Sequence, residues 1–354
     1  MKNKFVRNTI ILAIIGVACV VIPAGLITLK SFFYDLPIGI DAYWAQVITL
    51  AGVNAIMALS VNVVCGITGQ LSLGQAGFQA IGAYAVILLT QNLHLPLPVS
   101  IILAGLIAAF FGFLIGFPTL KLEGDYLAIV TLAFGEIIRV VLLNQKSWTG
   151  GPNGIQFGTV FTESLEWGAT IAYASVIGAL VLIVVFLQNF LRSTYGRAIM
   201  AVREDEIAAN SSGIGVFRYK MIGFVIASFI GGIGGALYAP LIGFVKPDLA
   251  SFNNSVNQLI YVVLGGMGSV TGSILAAFVL TILQEVLRFL RDYRLLIYPL
   301  ILIVMMLFRP QGLLGTAELC FFKIPDYFKA IGRWFKKVFT KSSKKSSSPS
   351  GEAK

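Results

Sequence analysis

Long apolar runs, separated by short clusters of proline, glycine and charge, set the pattern of this chain. A bilayer core of roughly 30 Å takes about 20 apolar residues per helix. Hydropathy with this punctuation predicts about ten membrane segments, at residues 8–29, 42–65, 79–92, 98–118, 126–144, 168–191, 221–245, 256–268, 272–288 and 295–308. From Ala42 to Leu120 there is no Asp, Glu, Lys or Arg, room for more than one crossing. Several segments are too short to cross simply, and those beside Gly-rich stretches are expected to be broken or re-entrant. The expected fold class is an all-α polytopic membrane protein with about ten transmembrane segments.

Composition agrees, with 57% hydrophobic and 12% charged residues among 354, whereas a soluble domain carries about 25% charged residues. The formal charge of +10 could suggest nucleic acid, but the basic residues gather at the two termini and in one internal loop, as the positive-inside rule requires. Nucleic acid is therefore not an expected partner. Ten crossings put both termini on one side, and the basic tail makes that side cytoplasmic. Three Lys or Arg then fall in the N-terminal arm, one at Lys121, five between Arg192 and Lys220, and ten from Arg309 onward. Lys30, Lys146, Lys246, Arg288, Arg291 and Arg294 fall outside, and the Arg288 to Arg294 cluster is the weak point of this assignment. A membrane domain over residues 1–315 and a basic cytoplasmic tail over 316–354 follow. Lys341 to Lys354 is expected to be disordered, and the Phe and Trp before it to rest on anionic lipid. The N-terminal run resembles a signal peptide, and Ala18-Cys19 a lipoprotein cleavage site, but the run continues beyond it and reads as an uncleaved first helix. Cys19, Cys65 and Cys320 have neither metal-ligand spacing nor a disulfide framework and read as structural.

Gly66 to Phe78, GITGQLSLGQAGF, mixes four glycines with Thr68, Gln70, Ser72 and Gln75 in the middle of the uncharged region. Irregular backbone and amides are tolerated at depth only where protein or cavity water satisfies them. The segment is either a solute-lining broken helix or a close-packed contact through small residues with Ser and Gln bonded across helices. Leu264 to Ser273, LGGMGSVTGS, has a related texture, including Gly265, Gly266 and Gly268, which is compatible with a weak internal duplication. Glu136 and Arg139 stand three apart and share a helical face. Charges there are costly and usually paired, so they read as a structural ion pair, with solute contact as the alternative. His94, among Leu95, Pro96, Leu97 and Pro98, reads as a loop residue.

The loop from Arg192 to Lys220 is the most informative soluble piece. Ile199, Val202 and Ile207 can share much of one helical face, Arg203, Glu204, Asp205 and Glu206 supply charge, and Gly213 can end the helix. Such a helix suits a groove on a cytosolic partner better than an anionic lipid surface, which its acidic cluster disfavours. No G-x-x-x-x-G-K-[ST] phosphate loop is present, so ATP hydrolysis would belong to another chain. GGMGSVTGS and GGIGGA do not match the dinucleotide fingerprint, and no metal cluster or catalytic Ser, Cys or His motif appears. No cofactor, metal or catalytic residue is expected.

Six blocks closely resemble one family: GQLSLGQAGFQAIGAYA (Gly69 to Ala85), GDYLAIVTLAFGEIIR (Gly124 to Arg139), TGGPNGI (Thr149 to Ile155), YGRAIMAVREDEIAA (Tyr195 to Ala209), VVLGGMGSVTGS (Val262 to Ser273) and LFRPQGLLG (Leu307 to Gly315). The family is the LivM-type permease of bacterial branched-chain amino acid ABC importers. The resemblance implies a non-catalytic permease subunit in the bacterial inner membrane. Its implied partners are a second related permease, two cytosolic ATPases and an extracytoplasmic amino-acid-binding protein that delivers Leu, Ile or Val. It also implies a coupling loop at 192–220, with Gly196, Arg197, Arg203, Glu204, Asp205 and Glu206 docking the ATPase. Gln70, Ser72, Gln75, Gly265, Gly266 and Gly268 are the candidate translocation path. Relatives carry urea, amides or other amino acids, and a self-sufficient secondary transporter is the reading from another class, which leaves the coupling-like loop without a purpose.

Overall fold

The computed structural model describes residues 42–122, 124–157, 168–308 and Gly312. The expected first helix at 8–29 and the tail at 316–354, with Cys19 and Cys320, lie outside the described residues. Nearly everything else is helix: α1 Ala42–Val61, α2 Gln75–Gln91, α3 Leu97–Thr119, α4 Asp125–Asn144, α5 Gly168–Arg192, α6 Thr194–Glu204, α7 Glu206–Ser211, α8 Val216–Ile242, α9 Phe252–Gly265, α10 Val270–Val286 and α11 Arg294–Phe308. Nine of the expected segments coincide with helices, because runs of apolar residues bounded by Pro and Gly have few other solutions in lipid. One small departure from all-α is a two-residue antiparallel ladder, with Ile155 opposite Val245 and Gln156 opposite Phe244. His94 lies in the α2–α3 loop, exposed and with a φ of 49°.

Among the described residues six helices are long and apolar enough to cross a bilayer: Tyr43–Ile67, Leu97–Thr119, Asp125–Asn144, Thr170–Arg192, Val216–Ile242 and Val270–Leu290. α2, α9 and α11 have 17, 14 and 15 residues and, at 1.5 Å per residue, are short of a simple crossing. The centre of the bundle is α8, packed on α1, α2 and α3, with α10 and α5 also against α1. Burial of 83% along the apolar window of α1 and 72% along that of α8, against 28% for α4, separates the core helices from the rim.

Contacts fix the directions. Ser60 meets Ala227 and Met57 meets Gly234, so α1 runs antiparallel to α8. Gly231 lies against Gln75 and Phe78, and Gly235 against Gln79, so α2 runs parallel to α8. Gly105 meets Ile233 and Gly116 meets Phe224, turning α3 the other way. Asn54 bonds Thr281 and Asn62 bonds Ser269, so α10 opposes α1. Two units of like build result, α1 to α4 and α8 to α11, each with a full helix, an interruption, a short helix and two further helices. Their directions are opposite, the inverted arrangement common in transporters. The interruption that corresponds to 68–74 is therefore 243–251. Leu264 to Ser273, the stretch expected to be its counterpart from texture, is instead the turn between α9 and α10.

Candidate functional site

One end of the bundle, the near end, carries α6, α7 and the start of α8. Ser193 begins α6 by accepting a hydrogen bond from Gly196 N at 3.2 Å, and Gly196, Ile199 and Val202 are buried against the neighbouring helices. A Cβ on Gly196 would stand 2.4 Å from Phe190 O, so this glycine is a packing residue. The helix then stops abruptly. The Asp205 carboxylate accepts from Ile207 N and Ala208 N, both at 2.9 Å, and caps a second helix. That break corrects the expectation that Ile199, Val202 and Ile207 share one face: the first two are buried and Ile207 is 81% exposed. Tyr195 and Met200 are exposed too. Replacing Asp205 by alanine should cost about 1 kcal/mol through the lost cap, seen as a melting midpoint lower by a few degrees with an unchanged helical signal.

The remaining charges of this loop divide by direction. Arg197 stays at the surface, donating to Arg192 O at 3.3 Å and Thr194 Oγ1 at 3.4 Å. Glu204 is exposed, 3.7 Å from Arg203 Nε, a loose pair of small energetic weight. Glu206 binds Lys220 Nζ at 2.6 Å, and the nearly buried lysine anchors α7 to α8. Arg203 turns into the bundle, and its Nη1 donates to Gly66 O at 2.6 Å.

Gly66 lies where α1 ends. The last turn of that helix widens into a π stretch, Asn62–Ile67, a distortion often found at functional sites. Thr68 N reaches back to Val63 O and Gln70 N to Val64 O, both at 3.0 Å, and the chain then runs without helix to Gln75. Here the two Gly-rich stretches meet. Buried Asn62 accepts from Gly268 N at 2.8 Å and donates to Ser269 O at 3.2 Å. A Cβ on Gly66 would fall 2.3 Å from Gly268 N, and Gly268 has a φ of +89°. Only glycine fits the first position and is unstrained at the second. Gly265 packs in the same way against the backbone of Gly272, and Gly266 against Gly312.

Of the other path candidates, Gln70 and Ser72 alternate with exposed Leu71 and half-buried Leu73, in the manner of a strand. Their polar atoms point into the protein: both amide atoms of Gln70, the Ser72 hydroxyl and Gln75 Nε2 are buried with no hydrogen-bond partner among the described residues. Such atoms cost free energy in the state that leaves them bare. Gln75 lies beside Ser60, whose hydroxyl also bonds Ala227 O at 2.8 Å. Further along, Gln79 Oε1 accepts from Gln258 at 2.6 Å and Asn254 at 3.0 Å, joining α2 to α9.

Glu136 and Arg139 form the expected ion pair, at 3.2 Å. Asp248, which the sequence reading missed, takes the stronger bond from Arg139 at 2.8 Å. Glu136 Oε1 also accepts from Phe252 N at 3.2 Å, capping α9. The clasp thus holds the second interruption against α4. Among the described residues no group of three or more His, Cys, Asp or Glu is placed to hold a metal ion.

Paired interruptions in a bundle of apolar helices, with polar groups buried within it, are the build of a membrane protein that conducts a solute. The chain belongs to the family described as branched-chain amino acid transport system / permease component, whose model matches residues 43–308. It is 42% identical over 294 residues to the high-affinity branched-chain amino acid transport system permease protein LivM of Salmonella typhimurium, covering 76% of this chain and 69% of that one. The LivM protein of Escherichia coli is similar to the same extent. The permease protein LivH of Salmonella typhimurium is 24% identical over 290 residues, covering 77% of this chain and 94% of that protein. No solved structure matches the chain.

Proposed function

We propose that this chain is the permease subunit of an ABC importer for the branched-chain amino acids Leu, Ile and Val, in the bacterial inner membrane. It is not an enzyme, and the energy comes from ATP hydrolysed on other chains. Its similarity to LivM and, more weakly, to LivH supports a heterodimer of two related permeases. Two cytosolic ATPases and a binding protein that delivers the solute complete the assembly. Ten membrane segments with both termini cytoplasmic place the loop 192–220 on the ATPase side. There the exposed Tyr195, Met200 and Ile207, flanked by Arg197 and Glu204, offer apolar knobs with a charged rim to a groove.

One observation supports this reading most: Arg203 leaves the loop and bonds the carbonyl of Gly66, where α1 gives way to the interruption. Movement of α6 is thereby transmitted to the backbone of both Gly-rich stretches. An ATP-driven shift of that helix changes which of two arrangements is populated. The zwitterion itself is too costly to place in hydrocarbon and needs the wet, alternately accessible path that broken helices provide.

The test is reconstitution of the permease pair with its ATPases and binding protein in liposomes. ATPase activity and uptake should rise with leucine, isoleucine or valine in the presence of the binding protein. Stimulation by urea or an amide in their place would reassign the cargo, and ion-driven leucine uptake by this chain alone would overturn the ABC reading.

A further inference from the structure

The interruption between α8 and α9 bounds a cavity of about 490 Å³ at the far end of the bundle, away from Arg203. Its polar walls are Lys246, Asp248 and the amides of Asn253, Asn254 and Asn257, and its apolar walls include Ile242. Lys246 and Asp248 line the same space without pairing: Lys246 Nζ stands 5.3 Å over the Phe244 ring. Asp248 is held by Arg139, but both of those bonds go to Oδ1. Its Oδ2 has no hydrogen-bond partner among the described residues. Two opposite charges that line one small cavity unpaired with each other, beside amides and an aliphatic wall, complement a ligand that carries both charges close together and an apolar side chain.

We infer that this cavity is a binding site for the zwitterion of an aliphatic α-amino acid, with Lys246 holding the carboxylate, Asp248 Oδ2 the ammonium, and Ile242 and its apolar neighbours the side chain. The inference rests on the importer reading and adds where in this subunit the solute is received. The clasp that joins Asp248 to Glu136 through Arg139 fits this role. All three are partly exposed although Glu136 and Arg139 lie on a membrane-crossing helix. Asp248 is the member of the clasp that lines the cavity, so the clasp fixes one charged group of the site in place.

The complete importer in liposomes tests it, with leucine uptake and binding-protein-stimulated ATPase measured side by side. Lys246→Met and Lys246→Glu remove and reverse a charge that touches only a ring, so neither disturbs the clasp. Uptake should fall at least tenfold in both, while stimulated ATPase stays within about twofold of the parent. Asp248→Asn should give the same pattern, provided it copurifies with its partners; the two lysine variants decide the matter where it does not. Uptake within twofold of the parent in both lysine variants overturns the inference and leaves the importer reading standing. Parallel loss of uptake and stimulated ATPase assigns Lys246 to docking of the binding protein and also overturns it. A parent complex that takes up no leucine would instead refute the importer reading itself.

Discussion

Replacing Arg203 by alanine should lower leucine uptake at least tenfold in an importer that still assembles. Truncation removes the bond to Gly66 O and leaves that carbonyl without its donor, a loss of about 1–3 kcal/mol for a partly buried group. The local cost is modest, but the connection it severs is the one side-chain bond described between α6 and the interrupted end of α1. ATPase activity should persist and lose its dependence on the binding protein, as expected when the motor turns without its load. Lysine is a partial substitute: its ammonium can reach one carbonyl, but it lacks the guanidinium fork. That fork lies close to both Gly66 and Gly268, for a Cβ on Gly268 would come 3.0 Å from Arg203 Nη1. Transport by the lysine variant should fall between parent and alanine. Uptake by the alanine variant within twofold of the parent would refute this account of coupling.

A second large effect is expected at the crossing of α2 and α8. A Cβ on Gly235 would stand 1.9 Å from Gln79 O, and one on Gly82 2.1 Å from Gly232 O. The obstacle in each case is backbone, which cannot rotate away. Close approach through small residues is how membrane helices gain packing energy in place of a hydrophobic driving force. Gly235→Leu or Gly82→Val must therefore push two core helices apart, costing more than the roughly 1–3 kcal/mol usual for overpacking. Folded protein should be nearly absent from detergent extracts, read as loss of the monodisperse peak in size-exclusion chromatography. Gly178→Ala, where a Cβ meets nothing within 4 Å, should match the parent. A normal peak for Gly235→Leu would show that the two helices are not held at backbone contact.

Helices were legible because hydrophobic runs and breakers are local signals, and nine segments fell within a few residues of their expected places. Partnerships across the chain were not legible. Asn62 binds Gly268 and Ser269, and Arg139 finds Asp248, over separations that no local spacing announces. The direction of Arg203 was hidden for another reason. Four consecutive charges look like a solvated face, and only the packed bundle shows that the first of them points inward while the third caps a new helix. That same cap explains the exposed Ile207, since a continuous 3.6-residue period had placed it with Ile199 and Val202. Among the polar residues after Gly66, a strand-like alternation, which composition does not reveal, turns Gln70 and Ser72 away from the open side and leaves Leu71 there.

The small ladder between Ile155 and Val245 is reinforced by Phe157 N donating to Gly243 O at 2.9 Å. It stitches the loop after α4 to the residues immediately preceding Lys246. Pressure from any body landing on that loop is therefore delivered through paired main chain, with no flexible side chain between, to the rim of the cavity. On the importer reading proposed above, a carrier that lands on this loop would therefore press on the cavity rim through main chain alone.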